Sequence, residues 1–198
     1  MDVIAHFCPM SVDDNTLTGK LLIAMPGMGD PRFERSVIFM CSHGDDGALG
    51  LIVNKPTPAI SFPQLLDQLE IDAGPSSRQI NVHFGGPVEN GRGFVLHSND
   101  YDANDSTLEV GADFGMTATL DILEDIARGQ GPGQAILALG YSGWGPGQLE
   151  DEIRDNGWLA VDSSPELVFA SDDDGKWAAA LSSIGVDPLT LSATAGRA

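Results

Sequence analysis

The sequence predicts an α+β fold built on a hairpin-rich sheet rather than a doubly wound parallel one. Two observations carry this. Apolar runs of strand length outnumber helical patterns, and several of them are joined by short Gly/Asp turns that favour hairpins.

Taken in order, Thr18-Gly19 introduces a strand at 20–25, which Pro26 stops; PGMGDPRF (26–33) is loop. SVIFMCSH (36–43) is a second strand. The turn Gly44-Asp45-Asp46-Gly47 joins it to a third, which ends at Asn54, and the simplest pairing is an antiparallel hairpin. Residues 61–71 read as a helix with Ser61 as cap, Pro63 in the first turn, and Leu65, Leu66 and Leu69 inward. Strands at 79–84 and 93–98 flank the turn GGPVENGR. The polar stretch 99–113 holds one short strand near Leu108–Val110. A helix at 119–128 puts Leu120, Leu123, Ile126 and Ala127 on one face.

The most informative stretch is 134–159. Ala135–Leu139 is a buried strand between glycines. Ser142–Gly147 is a glycine-rich turn around Trp144, and the helix after it buries Leu149 and Ile153 and stops at Asn156-Gly157. WLAVDSSPELVFAS (158–171) is too broken to assign. A last helix spans 176–184, with Asp172, Asp173 and Asp174 just ahead of its positive end.

A chain of 198 residues buries a sizeable core, roughly 70% of its unfolded surface. The charge balance is unusual: 29 acidic residues against 10 Lys+Arg give a formal net charge of −19. Such a field repels phosphate backbones, so direct nucleic-acid binding is not expected. The first ten residues lack a basic region and a long apolar stretch, and no window approaches a membrane span. With two cysteines, Cys8 and Cys41, there is no disulfide framework. The expectation is a cytoplasmic protein with reduced thiols and no membrane association.

Several patterns suggest chemistry and fall short of it. Gly140-Tyr141-Ser142-Gly143-Trp144 sits between strand and helix like a nucleophile elbow, yet Trp144 stands where the final glycine belongs. All four histidines (His6, His43, His83, His97) precede Ser142. Gly143, Gly145 and Gly147 do not spell a dinucleotide fingerprint or a P-loop, and Glu150, Asp151 and Glu152 would repel a phosphate there. Cys41 and His43, two apart on one strand, share a face, with His83 and His97 on neighbouring strands. No metal-ligand spacing supports a zinc site. No cofactor is expected.

Four motifs in order do identify a family: LTGKLLIAMPGMGDPRFERSVIFMC (17–41), GALGLIVNKP (47–56), FGGPVENGRGFVLH (84–97) and GYSGWGPGQLEDEIRDNGWL (140–159). On these the chain resembles the YqgE/AlgH family of bacterial proteins over residues 17–188. The resemblance implies a bifurcated mixed sheet rolled into a pseudo-barrel with helices outside, often divided into two entwined lobes. Some members are labelled transcriptional regulators, and the resemblance carries over no catalytic residues. Residues 1–16 are then a loose segment, 17–188 the domain, and 189–198 a fraying tail.

The motifs bring Asn54, Arg92, His97, Trp144, Gln148 and Glu150 to strand ends and turns, and these form the candidate binding cleft. Arg92 would pair with an anion and Trp144 would stack. The expected function is non-enzymatic binding of a small molecule or protein in a regulatory role. The alternative is an enzyme with a cleft built on His97 as acid/base, Arg92 as electrostatic stabiliser and the 140–150 turn. A plainer reading makes the same residues fold determinants, with Trp144 plugging the core and Arg92 paired to Glu89 or Glu150. A homodimer is compatible with the sequence, which carries no signature establishing one.

Overall fold

A computed structural model describes residues 16–103 and 105–191. The expectations for the N-terminal segment and for the end of the tail fall on residues outside these. Among the described residues nine strands join in one sheet: β1 (Lys20–Ala24), β2 (Val37–Gly44), β3 (Gly47–Ile52), β4 (Asn81–Phe84), β5 (Val88–Ser98), β6 (Thr107–Val110), β7 (Phe114–Thr117), β8 (Ala135–Trp144) and β9 (Trp158–Asp162). Five α-helices accompany them: α1 (Phe62–Gln68), α2 (Leu120–Ala127), α3 (Gln148–Arg154), α4 (Pro165–Val168) and α5 (Asp173–Ser182). The fold is α+β, and the 37–44/47–52 hairpin forms as predicted.

The sheet runs β6-β7-β5-β8-β3-β2-β1-β9, and β8 is its pivot. The first half of β8 lies between antiparallel β5 and parallel β4; its second half, Ser142–Trp144, pairs with β3 instead. One edge of β8 therefore forks into β3 and β4. Gly85 sits in the crotch, its N–H donating to Leu139 and its carbonyl accepting from Ile52 and from the Ser142 hydroxyl. At the bend Gly140 takes φ +73°, and a Cβ there would lie 2.5 Å from the Gly86 carbonyl oxygen. Only glycine lets the strands cross this closely.

Strand alternation explains why the first three strands are apolar throughout. Leu21, Ile23, Val37, Phe39, Leu49 and Leu51 point into one interior with Phe94, Leu96, Ile136 and Ala138, where Trp177 and Leu181 of α5 also pack. Their alternates Leu22, Ile38, Met40 and Ile52 face outward and are covered by Trp144, Trp158 and Leu149 of α3. On the other half, α1 and α2 lay Phe62, Leu66, Ile122 and Ile126 over Val82, Val95 and Leu137.

Four expectations change. The turn expected at 142–147 is strand as far as Trp144, and the bend shrinks to Gly145–Gly147, because β3 supplies hydrogen-bonding partners for 142–144. The expected turn at 85–92 belongs mostly to β5, which bulges between Val88 and Gly93, and β4 and β5 flank β8 rather than each other. Residues 158–162 form β9 along β1, a pairing invisible in so short a segment. Leu120 and Leu69, both expected inward, are exposed: Leu120, at 53%, is the first position of α2, where Ile122 takes the buried face, and Leu69, at 37%, lies just past the end of α1.

Candidate functional site

A cleft of about 470 Å³ opens where the β1–β2 loop faces α3 and the start of β9. The loop contributes Met28, Asp30, Arg32 and Phe33; the end of β8 contributes Trp144; α3 contributes Gln148 and Glu152; and the chain leaving the helix contributes Asp155 and Trp158. Gly147 at φ +73° starts α3, and Asn156 at φ +60° helps end it, so this short helix projects Gln148 and Glu152 at i, i+4 along one face.

Glu152 organises the cleft wall. Its Oε2 accepts the indole N–H of Trp144 at 2.9 Å and that of Trp158 at 2.8 Å. Its Oε1 accepts the Gln148 amide at 2.9 Å, and Gln148 is oriented in turn by the Gly145 N–H, 3.0 Å from its own Oε1. The two indoles meet edge to face with centroids 5.9 Å apart, and Phe33 meets Trp158 the same way at 5.6 Å. A buried indole needs an acceptor for its N–H, and one carboxylate serves both.

Of the six residues expected to form a cleft, Trp144 and Gln148 line this one. Glu150, on the neighbouring face of α3, is 2.7 Å from His43 Nε2. Its carboxyl is held below the usual range by its own backbone N–H, which outweighs partial burial, with His43 adding to the effect. Asn54 braces the backbone, donating to the Arg35 carbonyl and accepting from the Val37 N–H. Arg92 lies over the Phe94 ring, centroid 5.4 Å away, and 3.8 Å from Glu89. His97 is sealed inside the sheet, its Nε2 2.9 Å from Thr117 Oγ1 and its Nδ1 2.9 Å from the Ser98 carbonyl. Burial pulls its pKa down, against a smaller upward pull from that carbonyl. These placements match the plainer reading of Arg92 with Glu89 and of Trp144 as a buried plug.

The other chemical patterns also resolve. A bulge between Met40 and Ser42 breaks the strand period, so Cys41 enters the interior while His43 reaches α3. Burial pushes the Cys41 thiol far up, which leaves it inert. Ser142 is buried and donates to Gly85. His83 meets Asp173 of α5 at 3.0 Å. Among the described residues no group of three or more His, Cys, Asp or Glu could hold a metal ion. On the outer side of α3, Arg154 pairs with Asp151.

The AlgH-like family model matches residues 21–189, which include the cleft and the fork. The chain belongs to the YqgE/AlgH family. A UPF0301 protein of Ruegeria pomeroyi is 65% identical over 183 residues, covering 92% of this chain and 99% of that protein. One from Cereibacter sphaeroides is 60% identical over 182 residues with the same coverages. The solution structure of the AlgH protein from Pseudomonas aeruginosa superposes with a TM-score of 0.76 at 38% identity, covering 96% of this chain and all of that one. A Corynebacterium diphtheriae protein shares the fold, with a TM-score of 0.70 at 20% identity over 92% of each chain. The names of these relatives state no reaction.

Sequence reasoning missed Glu152 and Trp158. The i, i+4 spacing of Gln148 and Glu152 was available as a signal. The convergence of Trp144 and Trp158 was not, because it depends on β8 and β9 flanking α3.

Proposed function

We propose that this is a non-enzymatic cytoplasmic binding protein with a regulatory role, holding a small molecule or a segment of a protein partner in the Trp144–Glu152–Trp158 cleft. One observation carries the reading: the cleft wall contains a carboxylate fixed by three neutral donors, a preorganised polar anchor beside aromatic surface. Volume agrees, since about 470 Å³ falls within the range of small-molecule sites. Direct DNA contact has less support. The chain carries a net charge of −19, and α2 and α3 present Asp121, Glu124, Glu150 and Asp151 rather than a basic face.

The enzyme reading needs His97 at a reacting atom, and this histidine is fully buried and held by Thr117 and Ser98. Segment 140–150 reaches the cleft without it.

A thermal-shift panel of metabolites, nucleotides, divalent metals, basic and acidic peptides and short duplex DNA tests the proposal, with Gln148→Ala run beside the native protein. A true ligand at 100 times its Kd adds about 2.7 kcal/mol of stability. The expected hit is weakened in Gln148→Ala. A DNA hit, or a small-molecule hit indifferent to cleft substitutions, would sink the reading.

A further inference from the structure

Resting on that cleft, we infer that its ligand is a cation: an ammonium or guanidinium group that docks on Glu152. The inference starts from a count of acceptors. An ionised carboxylate offers about four acceptor directions. Two on Oε2 are taken by Trp144 and Trp158, and one on Oε1 by Gln148, so one direction on Oε1 is left for a donor.

Charge points the same way. The cleft lining contains Asp30, Glu152 and Asp155 against a single guanidinium, Arg32. Arg32 is committed to Asp30, with Nη2 2.6 Å from Oδ2 and Nε 3.0 Å from Oδ1. The ion pairs nearest the cleft, Arg32–Asp30 and Arg154–Asp151, leave Glu152 and Asp155 out. All three groups bonded to Glu152 are neutral, so its negative charge is oriented but not neutralised. An anionic ligand would meet two carboxylates at close range, and an uncharged one would leave the field unused.

The cleft also displays the chemistry it would apply. Arg32 lies with its guanidinium carbon 5.9 Å from the Phe33 centroid while its nitrogens bond Asp30, so one cation is already held here by a carboxylate and an aromatic ring. Glu152 with Trp158 and Phe33 repeats that pairing without the cation. The same group could arrive on a free amine or on a basic side chain of a protein partner.

The three tryptophan indoles report the outcome by nitrogen-15 NMR. Trp144 and Trp158 bond Glu152, whereas Trp177 bonds the Ala24 carbonyl from within the other core and serves as an internal reference. The probes are butylguanidinium and the blocked tripeptide N-acetyl-Gly-Arg-Gly-amide, each beside an uncharged counterpart in which a urea replaces the guanidinium. A cation should move the Trp144 and Trp158 signals saturably and leave Trp177 in place, while its counterpart does nothing. Affinity should fall at least about tenfold in Glu152→Gln, which keeps an acceptor for the indoles but removes the charge. A response to butylguanidinium identifies a small free cation as sufficient; a response to the peptide alone identifies a protein partner.

No saturable shift with either cation overturns the inference. If a neutral or anionic member of the thermal-shift panel then moves the same two signals, the binding cleft survives with a different ligand; if none does, the cleft reading falls as well. Should Glu152→Gln unfold, Asp155→Asn on the exposed rim carries the test. Cation affinity unchanged in that variant would also overturn the inference.

Discussion

Two carboxylates anchor helices to this sheet, and they are held in opposite ways. Asp173 ties α5 to the interior through His83 and the buried Lys176. Lys176 Nζ lies 3.3 Å from Asp173 Oδ1 and also donates to the Val53 and Val168 carbonyls, while His83 Nε2 is 3.0 Å away. Glu152 ties α3 to the outer face through two indoles and an amide, with no cation among its partners in the described residues. The first cluster is closed, its lysine side chain fully buried. The second borders a cleft. A carboxylate matched by a buried lysine is finished as a structural element, whereas one held by neutral donors beside open space keeps its charge for something else.

Shifts in the closed cluster follow from burial. Burial pushes Asp173 up, but the His83 hydrogen bond and the His83 and Lys176 charges together outweigh it, so its carboxyl titrates below the ordinary value. For Lys176 burial is the largest effect and pulls the ammonium down despite Asp173. The two partners differ because the lysine side chain is sealed while the aspartate keeps 12% exposure.

The contrast can be broken from either side. The largest effect is expected from Asp173→Ala, which leaves a buried lysine without its carboxylate and should cost about 3–5 kcal/mol by urea denaturation. A cost under about 1 kcal/mol would mean the closed cluster is not what holds α5. Trp158→Phe keeps most of the apolar bulk but removes one donor from Glu152. It should cost about 1.5–3 kcal/mol, and a double-mutant cycle with Glu152→Gln should show coupling; strict additivity would refute the shared acceptor.

Acid titration sharpens the difference further. Asp173's folded pKa is depressed, so its contribution is fully present above the unfolded value near about 4 and is lost as pH falls through the folded value. Asp173→Asn should therefore flatten the stability curve below about pH 4, measured as midpoint against pH. The smallest effect belongs to Glu150→Gln. Its partner His43 is close, but the carboxylate is 44% exposed, so solvent screening keeps the change under about 1 kcal/mol.

Much of the framework was legible because it is written in local terms. Runs such as VIFMC and LLIA are apolar at every position because both faces of those strands are covered, and the hairpin from β2 to β3 is set by Gly44–Gly47. Strands β7 and β9 were not legible. FGMT is short and contains a glycine, and WLAVD becomes a strand only because β1 offers it an edge. At the site, Trp144 and Gln148 were readable from their place around the glycine-rich bend. Asn54, Arg92 and His97 drew attention by residue type at strand ends, where brace, cation–ring contact and buried histidine look the same in one dimension.

The sequence by itself determined the α+β class, the first hairpin, the approximate course of four helices, the family motifs and an acidity that weighs against DNA. Each of these depends on composition or on periodicity within a few residues. Tertiary structure alone decided the fork at β8, the sealing of His97 and the meeting of Trp144, Trp158 and Gln148 on one carboxylate. A hydrogen bond between residues on separate elements depends on how those elements cross. Here the crossing is set by backbone contact at Gly85, Gly86 and Gly140, whose partners lie dozens of residues apart in the chain.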